Sequence, residues 1–318
     1  MQSNVFLRGR RDIYPSLPGR IGLASDRIQW FRRVRASSLT IEEKAGMVAG
    51  NIAAIERLNF TGICLQDGPL AIRQAALASV FPAQLSRALH MGQEFRAKGS
   101  HVALESFSPD SYLSGELVAE SVNGIQRAGA QAATKHLVVN EQEIQPSGLG
   151  PNRVEYLSPN IDDKTMHMTY LWPFANAVRA STASIMCSYQ RINGSYDCQN
   201  SKGYVIADWE GTHAGVASIE AGLDMNMPGG IDFITASPSY FGENVTTAVN
   251  NGSVPMHRVD DMVIRIMTPY LYLNQDVDYP LVDSYTPALG FFPRTEWVYN
   301  FTLGPLVGVR SSSTECRN

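Results

Sequence analysis

The chain has 318 residues, 44% of them hydrophobic and 18% charged, which is enough apolar material for one large α/β domain or two ordinary ones. Its formal net charge of −4 is mild and scattered, so it lacks the clustered basic stripe that nucleic acid requires. No apolar run approaches the roughly 20 residues that span a bilayer, and composition therefore sets aside both nucleic acid and the membrane as partners.

Residues 1–37 are rich in arginine and turn formers and show no sustained period. They read as an irregular lead-in, and their arginines are not followed by the apolar stretch of a secretory signal. Thr40, with Glu43 three residues on, gives a capping-box start to a helix over IEEKAGMVAGNIAAIERL, residues 41–58. GICLQDGPLAIR should supply a strand whose apolar run ends at Asp67 and a Gly-Pro turn. SRALHMGQEFRAKG reads as a helix, HVALE as a strand, and YLSGELVAESVNGIQRAG as a helix closed by glycine. AQAATKHLVV, residues 130–139, is the next strand, with Lys135 and His136 near its exit toward NEQEIQ. TYLWPFANAVRAST is helical and ASIMCSYQRIN, residues 183–193, is a strand ending in polar and aromatic residues. YVIADWEG is the clearest strand, meeting Asp208 and Trp209 at its end, and THAGVASIEAG follows as a helix. Strands and helices alternating at this spacing predict a mostly parallel sheet.

Asp67, Lys135, His136, Tyr189 and Asp208 all fall at or just after predicted C-terminal strand ends, the face on which a parallel barrel assembles its active site. Each alone could cap a helix or bond a loop amide, but together they describe a site. Carboxylates, a Lys-His pair, a tyrosine and a tryptophan suit a pyranose, whose hydroxyls take charged hydrogen bonds and whose ring face stacks on an aromatic. No metal or other cofactor is expected: the six histidines are dispersed, and no H-E-x-x-H, glycine-rich phosphate loop or G-x-S-x-G occurs.

Acceptor sequons occur at Asn59, Asn193, Asn244, Asn251 and Asn300 and point toward export. Cys187 and Cys198 flank SYQRINGSYD, a turn-rich stretch with a tight return at Gly194 and Ser195. They read either as a disulfide closing a hairpin-like loop in an oxidising compartment or as two buried thiols. Cys64 reads as core and Cys316 as part of a polar tail.

Several segments in order resemble the family 3 glycoside hydrolases, in particular the fungal β-glucosidases: LTIEEKAGMVAG, GICLQDGPLAIR, GQEFRAKG, FSPDSYLSGE, GIQRAGAQAATKHLVVNEQE, MCSYQRINGSYDCQN, ADWEGTHAGVASIEAGLDMNMPG and GSVPMHRVDDMVIRI. The resemblance implies retaining hydrolysis of terminal β-glucosyl residues by a secreted enzyme without a cofactor. Asp208 then stands at the nucleophile, with Ala207 where the family usually has serine. It makes Asp67, Lys135, His136 and Tyr189 the residues that hold the sugar, with Met186 and Trp209 lining the subsite. Segments usual in the family are missing after FPA, between HVALE and SFSPD, and between CQNS and GYVIADW. An incomplete barrel over 38–275 with fewer than eight strands is therefore expected, followed by a linker or tail over 276–318. The family's second domain, which supplies the acid/base glutamate, is expected to be absent; Glu141 or Glu143, in NEQE, then reads either as a substitute or, as loop glutamates more often are, as a solvated surface group. Two outcomes follow from that expectation, a β-glucosidase or a catalytically silent sugar-binding relative.

Overall fold

The computed structural model describes residues 31, 38–50, 55–58, 60, 62–63, 65, 107–140, 156–199, 204–227, 229 and 239–277. Asp67, Glu141, Glu143, the acceptors Asn59 and Asn300, Cys64 and Cys316 lie outside the described residues. So do the helix and strand expected at 86–99 and 101–105, and all but the edges of the lead-in and the tail.

Helix α1 (Ile41–Met47) opens on the expected capping box, with Glu43 N–H donating to Thr40 Oγ1 at 3.2 Å and Thr40 N–H to Glu43 Oε2 at 2.8 Å. It ends at Met47 rather than continuing to Leu58 as its periodicity predicts. The chain turns through Val48 to Gly50, whose φ of 91° glycine adopts at little cost. The Val48 carbonyl accepts the Asn226 N–H at 2.9 Å, so it caps a distant segment instead of extending the helix. Beyond, Ile55 and Phe60 form an antiparallel bridge around the tight turn Glu56–Leu58. Tertiary pairing has overridden local helix preference here.

Helix α2 (Ser111–Arg127) is capped by Asp110, whose carboxylate accepts Leu113 N–H at 2.8 Å. Strand β1 (Ala133–Leu137) follows, then a π-turn Met166–Tyr170 leads into α3 (Leu171–Arg179). α3 packs on α2 through Val118, Val122 and Ala177. Strand β2 (Ser184–Cys187) is shorter than the sequence pattern, because after Ser188 N–H donates to Leu137 O at 2.8 Å the chain leaves the sheet. It enters a hairpin of β3 (Arg191–Ile192) and β4 (Ser195–Tyr196). The return falls at Asn193–Gly194, with φ of 50° and 90°, the paired positive values of a type I′ turn. Cys187 and Cys198 are bonded across this loop, their Cα atoms 5.3 Å apart. Strand β5 (Val205–Ala207) and helix α4 (Val216–Ala221) come next, then α5 (Glu243–Asn250) and α6 (Met256–Tyr272).

The sheet is parallel in the order β1-β2-β5, and a parallel bridge from Ile206 to Met225 extends it. It shares its core with α6, where Val259, Met262, Val263, Ile266, Met267, Tyr270 and Leu271 recur at helical spacing and are all buried with Val205, Ile206 and Ala207. Each such side chain contributes roughly 1.5–3 kcal/mol by leaving water. The polar face of α6 is tied in by Arg258, which donates to the carbonyls of Ile219 and Leu223 and to Asp224 Oδ1 at 3.0 Å. Asp224 is fully buried and also accepts Val205 N–H at 3.0 Å, so one carboxylate joins β5 to α6. Burial outweighs the arginines beside it and pushes its carboxyl up to about 7.

Candidate active site

The ladder aligns Leu137 with Cys187 and Cys187 with Ala207, so the C-terminal ends of β1, β2 and β5 lie level. Whatever follows these residues emerges on one edge: Ser188 and Tyr189 from β2, Asp208 and Trp209 from β5. Lys135 and His136 reach the same edge within a break in the β1–β2 register between Thr134 and Leu137. The Lys135–His136 peptide is cis.

Asp208 is 8% exposed and both of its carboxylate oxygens are engaged. His136 Nε2 lies 2.8 Å from Oδ2, and Trp209 N–H donates to Oδ1 at 2.6 Å. Burial alone would raise this carboxyl. The hydrogen bond and charge of His136, the charge of Lys135 and the Trp209 N–H instead hold it below the usual carboxylate range. The backbone behind it is fixed by a tight turn in which Gly211 N–H donates to Asp208 O at 2.8 Å and Glu210 N–H to Met227 O at 2.9 Å. A Cβ at Gly211 would lie 3.2 Å from the Asp208 carbonyl, so the turn suits glycine.

Met186 is buried on β2 beside the site, and Trp209 is half-buried against the main core. The indole Nε1 of Trp209 is buried without a hydrogen-bond partner among the described residues. The structure thus brings Asp208, His136 and Lys135 into mutual contact or electrostatic reach and places Met186, Tyr189 and Trp209 on the adjoining strand ends, while Asp67 lies outside the described residues.

Residues that sequence reasoning missed surround Tyr189. Its ring stacks on buried Tyr156, with centroids 5.6 Å apart and planes at 14°. Tyr156 meets His213 edge-on at 5.9 Å, and His213 stacks on Tyr196 at 4.0 Å. Arg191 lies over Tyr196 and donates from Nε to the Tyr156 carbonyl at 2.9 Å. The nearest signal in the sequence is the position of His213, five residues beyond Asp208 in the same post-strand loop. Ser188 N–H donates to Asp197 Oδ2 at 3.2 Å and Ser188 Oγ to Val138 O at 2.8 Å, joining the hairpin to the ends of β1 and β2. Burial pushes the Asp197 carboxyl up to about 8, against hydrogen bonds from Ser188 and Val138. Among the described residues no group of His, Cys, Asp and Glu is arranged to hold a metal ion, and no helix is long and apolar enough to cross a membrane.

No protein-family model matches the chain. The chain is nevertheless similar to solved structures of family 3 glycoside hydrolases. That of a family 3 β-glucosidase from Neurospora crassa is 34% identical, with a TM-score of 0.70 over 89% of this chain and 40% of that one. A β-glucosidase from Chaetomella raphigera gives 33% and 0.69 over 85% of this chain and 43% of that one. The chain is thus a homologue of the family 3 glycoside hydrolases. More narrowly, its sequence relatives are fungal β-glucosidases: probable β-glucosidase G of Neosartorya fischeri is 51% identical over 84% of this chain, and β-glucosidase 1 of Aspergillus aculeatus 42% identical over 76%. The chain spans 40% and 34% of the lengths of those two relatives.

Proposed function

We propose that this chain carries the nucleophile of a retaining β-glucosidase, Asp208, in a site that holds a terminal β-glucosyl residue. The observation that carries the reading is the Asp208 carboxylate at the C-terminal edge of a parallel sheet, 2.8 Å from His136 Nε2 and within electrostatic reach of Lys135, whose charge favours its ionised form. Asp208 attacks the anomeric carbon, the glycosidic bond breaks with its electron pair going to the leaving oxygen, and water later releases the sugar from the ester. His136 and Lys135 keep the attacking carboxylate charged. Lys135, His136, Tyr189 and, from the sequence, Asp67 hold the sugar hydroxyls, with Met186 and Trp209 lining the subsite. The three parallel strands and the Met225 bridge form an arc of the family's barrel in this reading.

The protein is further proposed to be extracellular, with the Cys187–Cys198 bridge oxidised and glycans on the exposed acceptors Asn193, Asn244 and Asn251. The test is covalent trapping by 2,4-dinitrophenyl 2-deoxy-2-fluoro-β-glucoside, whose leaving group departs without a proton donor. The full chain should gain one fluoroglucosyl unit on Asp208, and Asp208→Asn should gain none. Labelling elsewhere, or undiminished labelling of the variant, overturns the assignment. Peptides from the same secreted sample, digested without reduction, should contain the joined cysteines and glycosylated acceptors. Free thiols with bare asparagines would overturn the extracellular reading.

A further inference from the structure

We infer that His213 is a positioning residue for Tyr189, acting through Tyr156. This rests on the reading of Tyr189 as a residue that holds the sugar. Tyr189 is partly exposed just after the end of β2, and its ring stacks on the face of Tyr156, which is 5% exposed. Where Tyr156 lies therefore bears directly on the orientation of the Tyr189 ring. Tyr156 comes from an irregular segment outside the sheet, so ladder hydrogen bonds do not fix its side chain. Its backbone is held by Arg191, whose N–H donates to Leu157 O at 3.0 Å and whose Nε donates to Tyr156 O at 2.9 Å. Its ring is held by the imidazole of His213, inclined at 61°.

His213 is itself clamped, its face lying 4.0 Å from that of Tyr196 at an angle of 22°. Tyr196 belongs to β4, whose hairpin is tied back to β2 by the Cys187–Cys198 bond. The ring series runs from the loop after the Asp208 strand to the wall that carries Tyr189 by way of Tyr156, whose segment takes part in no described strand pairing. An edge-to-face ring contact suits this role because it resists both tilting and sliding of its partner. The guanidinium of Arg191 over Tyr196 extends the same series at its far end, 5.9 Å from the ring centre.

The test compares His213→Ala, which removes the ring, with His213→Phe, which keeps an aromatic edge and face. Two quantities are read on the full chain: glucose affinity by calorimetric titration, and the limiting rate of Asp208 labelling at saturating dinitrophenyl fluoroglucoside. His213→Ala should weaken glucose binding about three- to tenfold, the range of one aromatic pair, while His213→Phe stays within roughly twofold of wild type. The limiting labelling rate should hold in both, since Asp208 keeps His136 and Lys135. Tyr156→Ala should weaken glucose as much as His213→Ala, and the double variant should lose no more than either alone. The inference is overturned if His213→Ala binds glucose like wild type, if the phenylalanine variant is as weak as the alanine variant, or if the limiting rate falls in step with affinity. A wild-type chain that does not bind glucose refutes the sugar-site reading, and this inference with it. Wild-type binding with indifferent variants refutes the inference alone.

Discussion

Replacing Asp197 by asparagine isolates a charge that the fold is built to suppress. The carboxyl is pushed up by burial to about 8 from its usual 3.8, so the native protein holds this proton across the range in which the unfolded chain releases it. A raised folded-state value means that the stability it confers is complete below about 4 and declines as the pH rises toward 8. Between pH 5 and pH 7 the unfolded group is ionised and the native one is protonated, so the loss is close to 1.4 kcal/mol per unit, about 3 kcal/mol in all. Asparagine offers a similar donor and acceptor set to the protonated acid but cannot titrate. Urea unfolding of wild type and Asp197→Asn at the two pH values should therefore show the variant gaining about 3 kcal/mol relative to wild type on going from pH 5 to pH 7. Asp224, raised to about 7, titrates in the same window but equally in both proteins, so it cancels in the difference. Asp208, held below 3.8, contributes stability that is lost only as the pH falls beneath this window. A stability difference that is the same at pH 5 and pH 7 would refute the argument.

Arg258→Ala strips the fully buried Asp224 of its nearest cation and frees the carbonyls of Ile219 and Leu223; it should cost about 3–5 kcal/mol at pH 8 and less at pH 5, where Asp224 can take a proton. Thermal unfolding at the two pH values checks both the size and the direction. Gly229→Ala should cost about 2 kcal/mol or more, because φ is 114° and the added Cβ would lie 2.7 Å from the Ala49 carbonyl. Gly194→Ala, at φ 90° with open space around it, should cost only about 1 kcal/mol, and equal losses in the two variants would contradict this account.

The alternation of apolar strands with amphipathic helices was legible because parallel strands buried on both faces leave continuous apolar runs, as in VIA before Asp208. The polar residues at those ends stood out for the same reason: Asp208 interrupts a run that a structural strand would continue. Boundaries were less legible. IEEKAGMVAGNIAAIERL keeps a helical pattern throughout, yet the Val48 carbonyl is claimed by Asn226, a partner far along the chain that no local period announces. The aromatic series around Tyr189 was invisible for a related cause. Tyr156, Tyr196 and His213 lie on an irregular segment, a two-residue strand and a loop, and ring stacking between such pieces has no spacing rule. The burial of Asp197 was hidden as well, since an aspartate between tyrosine and cysteine after a tight turn reads as a surface residue.

The level strand ends carry a further consequence for how the protein is made. Ala133 pairs with Ser184 and Ile185 with Val205, so the sheet is assembled from segments that meet only after long crossovers have folded back. His136 and Asp208, 2.8 Å apart in space, are separated by that whole excursion in the chain. A nascent chain that has made β1 and β2 holds His136 and Lys135 without the carboxylate, and a segment beginning after β2 holds the carboxylate without them. The Asp208 carboxylate therefore gains the hydrogen bond and charges that favour its ionised form only in the assembled sheet. The contact between His136 and Asp208 and the completion of the sheet arrive together, and a chain stalled before β5 has neither.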